Sequence, residues 1–156
     1  MTETEALAAK RTFQVPIEAL TFSLQGEIFA IEAGIVREIL DMVAVTDVPG
    51  ARNFVGGIIN VRGSIVPLAD LRLRFGMEPT QATIDTRIVV VDVMLDGEAV
   101  TIGLLADKVY EVTEIAAAAL EETPKVGMRW EPEFIRCIGK RKDDFVIVPD
   151  MERLFS

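Results

Sequence analysis

From Leu20 the chain alternates apolar and polar positions, LTFSLQGEIFAIE, which sets Leu20, Phe22 and Leu24 on one side before Gln25-Gly26 turns into Ile28, Phe29, Ala30 and Ile31. A period of two interrupted by a residue–glycine pair predicts a β-hairpin. In AGIVREILDMV, residues Ile35, Val36, Ile39 and Leu40 satisfy both the strand and the helix period, so the element type stays open. DVPGARNFVGG is a turn-rich connector whose Pro49, Gly50, Gly56 and Gly57 mark bends. Then GGIINVRGSIVPLADLRLRFG reads as two short apolar strands around Arg62-Gly63. Pro67 lacks a backbone donor and predicts an edge position for the second of them. Leu71 and Phe75 follow at helical spacing, with Gly76 placed to stop a short helix.

The second half resumes with TRIVVVDVML, an Asp96-Gly97 turn and EAVTIGLLAD, the strongest hairpin signal in the chain. DKVYEVTEI continues as a strand, and AAAALEETPKVGMRWEPE reads as one helical turn and a long loop. FIRCIGKRKDDFVIVPD gives two strands around a charged turn, and MERLF a terminal helical turn. The pattern predicts a mainly β chain of about ten short, mostly antiparallel strands. The halves close on similar strings, VPLADLRLRF and VIVPDMERLF. That echo predicts two similar β units, each a barrel, since closing a sheet removes its exposed edges.

With 156 residues, half of them hydrophobic, the chain is long enough to bury a sizeable core. A polar tail, residues 1–16, is expected to be disordered ahead of a single domain over 17–156. A formal net charge of −9 repels phosphate backbones and anionic lipid, so nucleic acid is not an expected partner. Cys137 is the only cysteine, which excludes an internal disulfide, fits a reducing compartment and reads as a space filler. No secretory leader pattern and no apolar run of roughly 20 residues is present, so a cytoplasmic location is expected, with any membrane association through a partner.

Chemistry is sparse. There is no histidine, hence no phosphohistidine and no imidazole base. The carboxylates and the one thiol form no ligand cluster, so neither metal nor cofactor is expected. Gly56, Gly57 and Gly63 lack the helix that a phosphate-binding loop needs. RIVVVDVMLD looks like the start of a receiver domain, but the strands do not alternate with helices; Asp92 is expected to face solvent and Asp96 to sit in a turn. Asp70 and Asp150 pair as candidate acid–base carboxylates only if the halves face each other, whereas helix capping explains each of them singly. Met128 and Trp130 stand in an expected loop, where the tryptophan either plugs an internal core, the favoured reading, or contacts a partner.

The string GGIINVRGSIVPLADLRLRFG, preceded by IFAIEAGIVREIL and VPGARNFVGG, resembles the CheW family of chemotaxis coupling proteins. Gly57, Asn60, Arg62, Gly63, Pro67, Asp70, Leu71 and Arg72 match the family pattern, and VTIGLLADKVYEV and DFVIVPDMERLF match its second half, so the likeness runs from about residue 18 to the end. The resemblance implies two five-stranded SH3-like barrels packed across a shared hydrophobic core, with short helices. It also implies a free-standing, non-catalytic adaptor that ties the cytoplasmic helical tip of a chemoreceptor to the regulatory domain of the CheA kinase. By the same resemblance, Val36, Glu38, Gly57, Arg62 and Gly63 are the expected partner-binding residues. Glu38 and Arg62 are expected to meet at the rim of a groove between the barrels. The same fold also serves other receptor–kinase circuits such as surface motility.

Overall fold

Ile88 and Val90 of the run RIVVVDVML face one buried cluster while Val89, Val91 and Val93 face another. A strand covered on both sides needs apolar residues at successive positions, which is why this run does not alternate. It lies where two β layers meet. The computed structural model describes residues 16–51, 53–79, 81–123, 131–141 and 144–155. Its strands are β1 (Ile17–Leu24), β2 (Glu27–Glu32), β3 (Val36–Asp41), β4 (Thr46–Asp47), β5 (Gly57–Val61), β6 (Ser64–Ala69), β7 (Arg87–Leu95), β8 (Glu98–Ala106), β9 (Lys108–Ile115), β10 (Leu120–Glu121), β11 (Ile135–Arg141) and β12 (Asp144–Pro149). Two short helices, α1 (Leu71–Arg74) and α2 (Met151–Phe155), follow β6 and β12. Residues 1–15 of the N-terminal tail, Met128 and Trp130 lie outside the described residues.

The strands form two six-stranded sheets, β10-β11-β12-β2-β1-β9 and β3-β7-β8-β6-β5-β4. They are called barrel I and barrel II here. Each has the five substantial strands expected of an SH3-like barrel plus a two-residue strand, β10 or β4. These two are too short to leave a periodic signal in the sequence. Three apolar clusters hold the fold. Ile17, Ala19, Ala30, Cys137, Val146 and Val148 belong to barrel I, and Ile59, Val66, Leu68, Ile88 and Val90 to barrel II. Between the barrels lies the shared core, where Leu20, Phe22 and Leu24 of β1 meet Val89, Val91 and Val93 of β7. Phe29 stacks on Phe22 at 5.9 Å and leans on Phe75 at 5.2 Å between ring centroids.

The sequence echo corresponds to a structural repeat. The Asp70 N–H donates to the Phe54 carbonyl at 2.7 Å, and the Asp150 N–H to the Phe134 carbonyl at 2.8 Å. β6 pairs in parallel with β8, and β12 with β2. The two halves of the sequence are nevertheless not the two barrels, which corrects the simplest reading of the echo. β3 leaves the first hairpin to pair with β7, and β9 leaves the second to pair with β1. Each barrel thus combines the hairpin of one half with four strands of the other. The chain crosses between sheets through a 3-10 turn at Ala33–Ile35 and through the single residue Asp107. Neither link contains a proline or a run of turn residues to announce the crossing.

Pro67 is a second correction. β6 is an interior strand, flanked by β5 and β8. It pairs with β8 only through Leu68 and Ala69, so Pro67 sits just before that ladder begins and its missing donor is not needed there. AGIVREILDMV resolves as the 3-10 turn followed by β3. No helix among the described residues is long and apolar enough to cross a membrane.

Candidate functional site

The β5–β6 hairpin closes on two residues, with Val61 opposite Ser64 and Arg62-Gly63 between them. Both turn residues have positive φ, 52° for Arg62 and 85° for Gly63, the conformation whose twist matches that of paired strands. Glycine adopts it freely; arginine does so at a cost. The Asn60 carboxamide oxygen accepts the Gly63 N–H at 2.8 Å and fixes the bend. The turn projects Arg62 across to β3, where its Nη2 donates to Glu38 Oε1 at 3.1 Å. The arginine side chain is 81% exposed and the glutamate 25%.

β3 brings a second ion pair beside the first. Its register against β7 slips between Val36 and Glu38, so Arg37 sits in a bulge. Bulges re-aim side chains, and this one sends Arg37 to Asp92, Nε to Oδ2 at 3.3 Å, and to Thr101 Oγ1 at 3.3 Å. The Thr101 hydroxyl donates to Asp92 Oδ1 at 2.7 Å. Glu38, Arg62, Arg37 and Thr101 border a pocket of about 530 Å³ whose floor includes Val66 and Val90, with Ile65 exposed on its lip.

All of these belong to barrel II. The expected groove between the barrels is a separate, neighbouring feature of about 280 Å³, lined by Ile31 and Val148 of barrel I, Val93 and Met94 of barrel II, and Ile35 and Met151 from the connecting segments. Asp92 belongs to this groove while its partner Arg37 belongs to the pocket, so the Arg37–Asp92 pair is the wall between them. Glu32 and Arg136, 2.6 Å apart, stand at the groove as a further ion pair. Together they make an apolar trough bordered by charge, with Glu38–Arg62 at the far side of the wall and not on the inter-barrel rim.

The remaining expected residues are dispersed. Val36 is half-buried against the shared core. Gly57 lies at the opposite end of β5 from Arg62, and a Cβ there would stand 2.6 Å from Val45 Cγ1, so close packing requires glycine. Asp70 accepts the Arg72 N–H at 3.1 Å and Asp150 the Arg153 N–H at 3.1 Å, so both cap helices and are bound up in local contacts. Asp92 is partly exposed and ion-paired, and Asp96 sits in its turn with φ 52°. Among the described residues no group of three or more His, Cys, Asp or Glu stands where it could hold a metal ion. Sequence reasoning missed Arg37, Thr101 and Met94. The bulge, which has no sequence signature in β3, brings Arg37 to the pocket, and the β7–β8 register sets Thr101 opposite Asp92.

The CheW-like domain model matches residues 18–156, nearly the whole chain. The chain belongs to the CheW family. It is 29% identical over 149 residues to the probable chemotaxis protein CheW of Rhizobium etli, covering 96% of this chain and 94% of that one. It is 29% identical over 127 residues to protein PilI of Pseudomonas aeruginosa, covering 81% of this chain and 68% of the relative. Among solved structures, the scaffolding protein CheW of Thermoanaerobacter tengcongensis superposes with a TM-score of 0.80 at 32% identity, covering 91% of this chain and 89% of that one. Family membership agrees with the two-barrel fold and with a chemotaxis scaffold.

Proposed function

We propose that this chain is a non-catalytic coupling protein that holds the cytoplasmic helical tip of a chemoreceptor against the regulatory domain of a CheA-type histidine kinase, so that kinase output follows receptor state. It works in the cytoplasm and reaches the membrane only through the receptor. The observation that carries the reading is the trough of Val93, Met94, Ile31 and Val148 bordered by the Arg37–Asp92 and Glu32–Arg136 pairs, with Glu38–Arg62 across the Arg37–Asp92 wall. A helix docking in a groove gains affinity from apolar anchors and takes register and rate from charges at the border. Arg62 is a surface cation held by its turn at a strained backbone angle in an acidic protein, which suits it to reach a partner. Val36 and Gly57 act indirectly, the first by packing β3 and the second by seating β5 against Val45.

The test is a pull-down with a receptor cytoplasmic fragment. Glu38→Arg and Arg62→Glu should each weaken capture and leave the melting temperature nearly unchanged, and normal capture by both would end the assignment. The likeness to PilI favours a second reading, the same docking in a circuit with another output such as surface motility. Co-purification that returns a motility receptor and kinase in place of chemotaxis ones would select it. An enzyme using Asp70 and Asp150 is the weakest alternative, because both carboxylates are engaged as caps.

A further inference from the structure

Beneath α1 the guanidinium of Arg72 is buried, with the residue only 3% exposed. Its Nε and Nη2 donate to the two carboxylate oxygens of Asp70 at 2.9 and 2.8 Å, and its Nη1 donates to Asp107 Oδ1 at 3.1 Å. Asp107 is itself tied down: its Oδ2 accepts the Gln25 N–H at 2.7 Å, and its own N–H donates to the Ser23 carbonyl at 3.0 Å. The Gln25 side-chain amide donates onward to the Glu78 carbonyl. Asp70 and Arg72 belong to barrel II and its trailing helix, Ser23 and Gln25 to the first hairpin of barrel I, and Asp107 is the one residue by which the chain passes from β8 to β9. The network therefore lies across the seam between barrels at one of the two crossing points.

The internal repeat makes the other crossing point comparable. There, β2 passes to β3 beside Asp150 and Met151, the counterparts of Asp70 and Leu71. The counterpart of Arg72 is Glu152, which is exposed. Among the described residues no ion pair of a buried cation ties that end of the seam, and it is the end that opens as the groove lined by Ile31, Val93, Met94 and Met151. One end is fastened by a bidentate guanidinium and the other is a cleft. We infer that Arg72 acts as a clasp between the barrels and that, by fixing their angle at the closed end of the seam, it sets the width of the docking groove at the open end. This rests on the docking reading above for its consequence, though not for the clasp itself. Arg72 is a positioning residue here, since it lies away from the groove. A planar fork that meets two carboxylates fixes direction as well as distance, which a lysine does not.

Asp107→Ala tests this most cleanly, because it cuts the link between barrels and leaves Arg72 paired with Asp70. Arg72→Met removes the clasp outright, and Arg72→Lys keeps its charge alone. Spin labels at the exposed positions Glu98 in barrel II and Glu114 in barrel I, on a Cys137→Ala background, report the separation of the barrels in the full chain. The expected result is a narrow distance distribution in the parent and a broader or displaced one in Asp107→Ala and Arg72→Met, with Arg72→Lys between. Slowly exchanging amides should persist in both sheets. Affinity for a receptor cytoplasmic fragment should fall by about threefold to thirtyfold, the range for residues that modulate a site they do not touch. A distance distribution identical to the parent's, or loss of amide protection in both sheets together, overturns the clasp. A parent chain that ignores the fragment refutes the docking reading, while the distance measurement still decides the clasp.

Discussion

Arg62→Asn separates binding from stability more sharply than a charge reversal. At φ 52° the arginine occupies the left-handed region, which costs most L-residues about 1 kcal/mol and asparagine, whose short polar side chain bonds to the local backbone, much less. Against that gain stands the loss of one ion pair, Arg62 to Glu38 at 3.1 Å, whose arginine side chain is 81% exposed. Pairs so exposed contribute about 0.2–1 kcal/mol. The Asn60–Gly63 bond that closes the turn is untouched. The balance is between zero and about 1 kcal/mol in favour of the variant, and for a chain of this size 1 kcal/mol moves Tm by about 2–4 °C. Calorimetry should therefore find Tm unchanged or raised by up to about 4 °C. Association with a receptor fragment, followed by stopped flow across ionic strength, should slow and lose part of its salt dependence, because a border cation has been removed. A fall in Tm of more than about 4 °C would mean the arginine holds the fold together. An unchanged rate with an unchanged salt slope would remove it from the docking surface.

Further outcomes follow from particular contacts. Gly57→Ala should lower stability by about 1–2 kcal/mol through overpacking against Val45, and Val45→Ala in the same chain should restore most of it; an effect on binding without an effect on melting would give Gly57 a direct role. Asp70→Ala should cost about 3–5 kcal/mol, because it strips a buried guanidinium of its main partner, whereas Asp150→Ala removes only a cap worth about 1 kcal/mol; equal losses in urea titrations would contradict the buried pair. Burial pushes the Cys137 thiol above its ordinary value of 9.0, so the native chain should resist thiol reagents at pH 8 and react once unfolded. The folded state favours the neutral thiol, and its stabilising contribution is whole below the unfolded value and declines as pH rises through and beyond it. Rapid labelling of the native chain would take Cys137 out of barrel I. Phe29→Ala, which empties the middle of the aromatic stack, should cost about 3–5 kcal/mol in the same titrations, and a loss under 1 kcal/mol would mean the shared core does not depend on it.

Much of this fold could be read locally. Three residue–glycine pairs, Gln25-Gly26, Arg62-Gly63 and Asp96-Gly97, turn as read, each with positive φ at both positions. Asp70 and Asp150 cap the helices that the repeated Asp-containing strings point to. Non-local features were not legible. The exchange of β3 and β9 between sheets runs through links of three residues and one, too short to carry a compositional signal. Pro67 misled because the ladder rule depends on where pairing with β8 begins, which is a matter of tertiary register. Glu38 and Arg62 were paired by family likeness and do meet, but their neighbours Arg37 and Asp92 come together only through a bulge. The clasp was invisible for a similar reason, since Arg72 and Asp107 are 35 residues apart and each alone looks like a surface charge.

The docking surface is tested most directly by titrating isotope-labelled chain with an unlabelled receptor cytoplasmic fragment and following backbone amide shifts. The account predicts that perturbations concentrate on Arg37, Glu38 and Arg62 around the pocket and on Ile31, Asp92 and Met94 along the groove. Perturbations confined to the β9 edge or to the β11–β12 hairpin, with the groove silent at saturation, would contradict it.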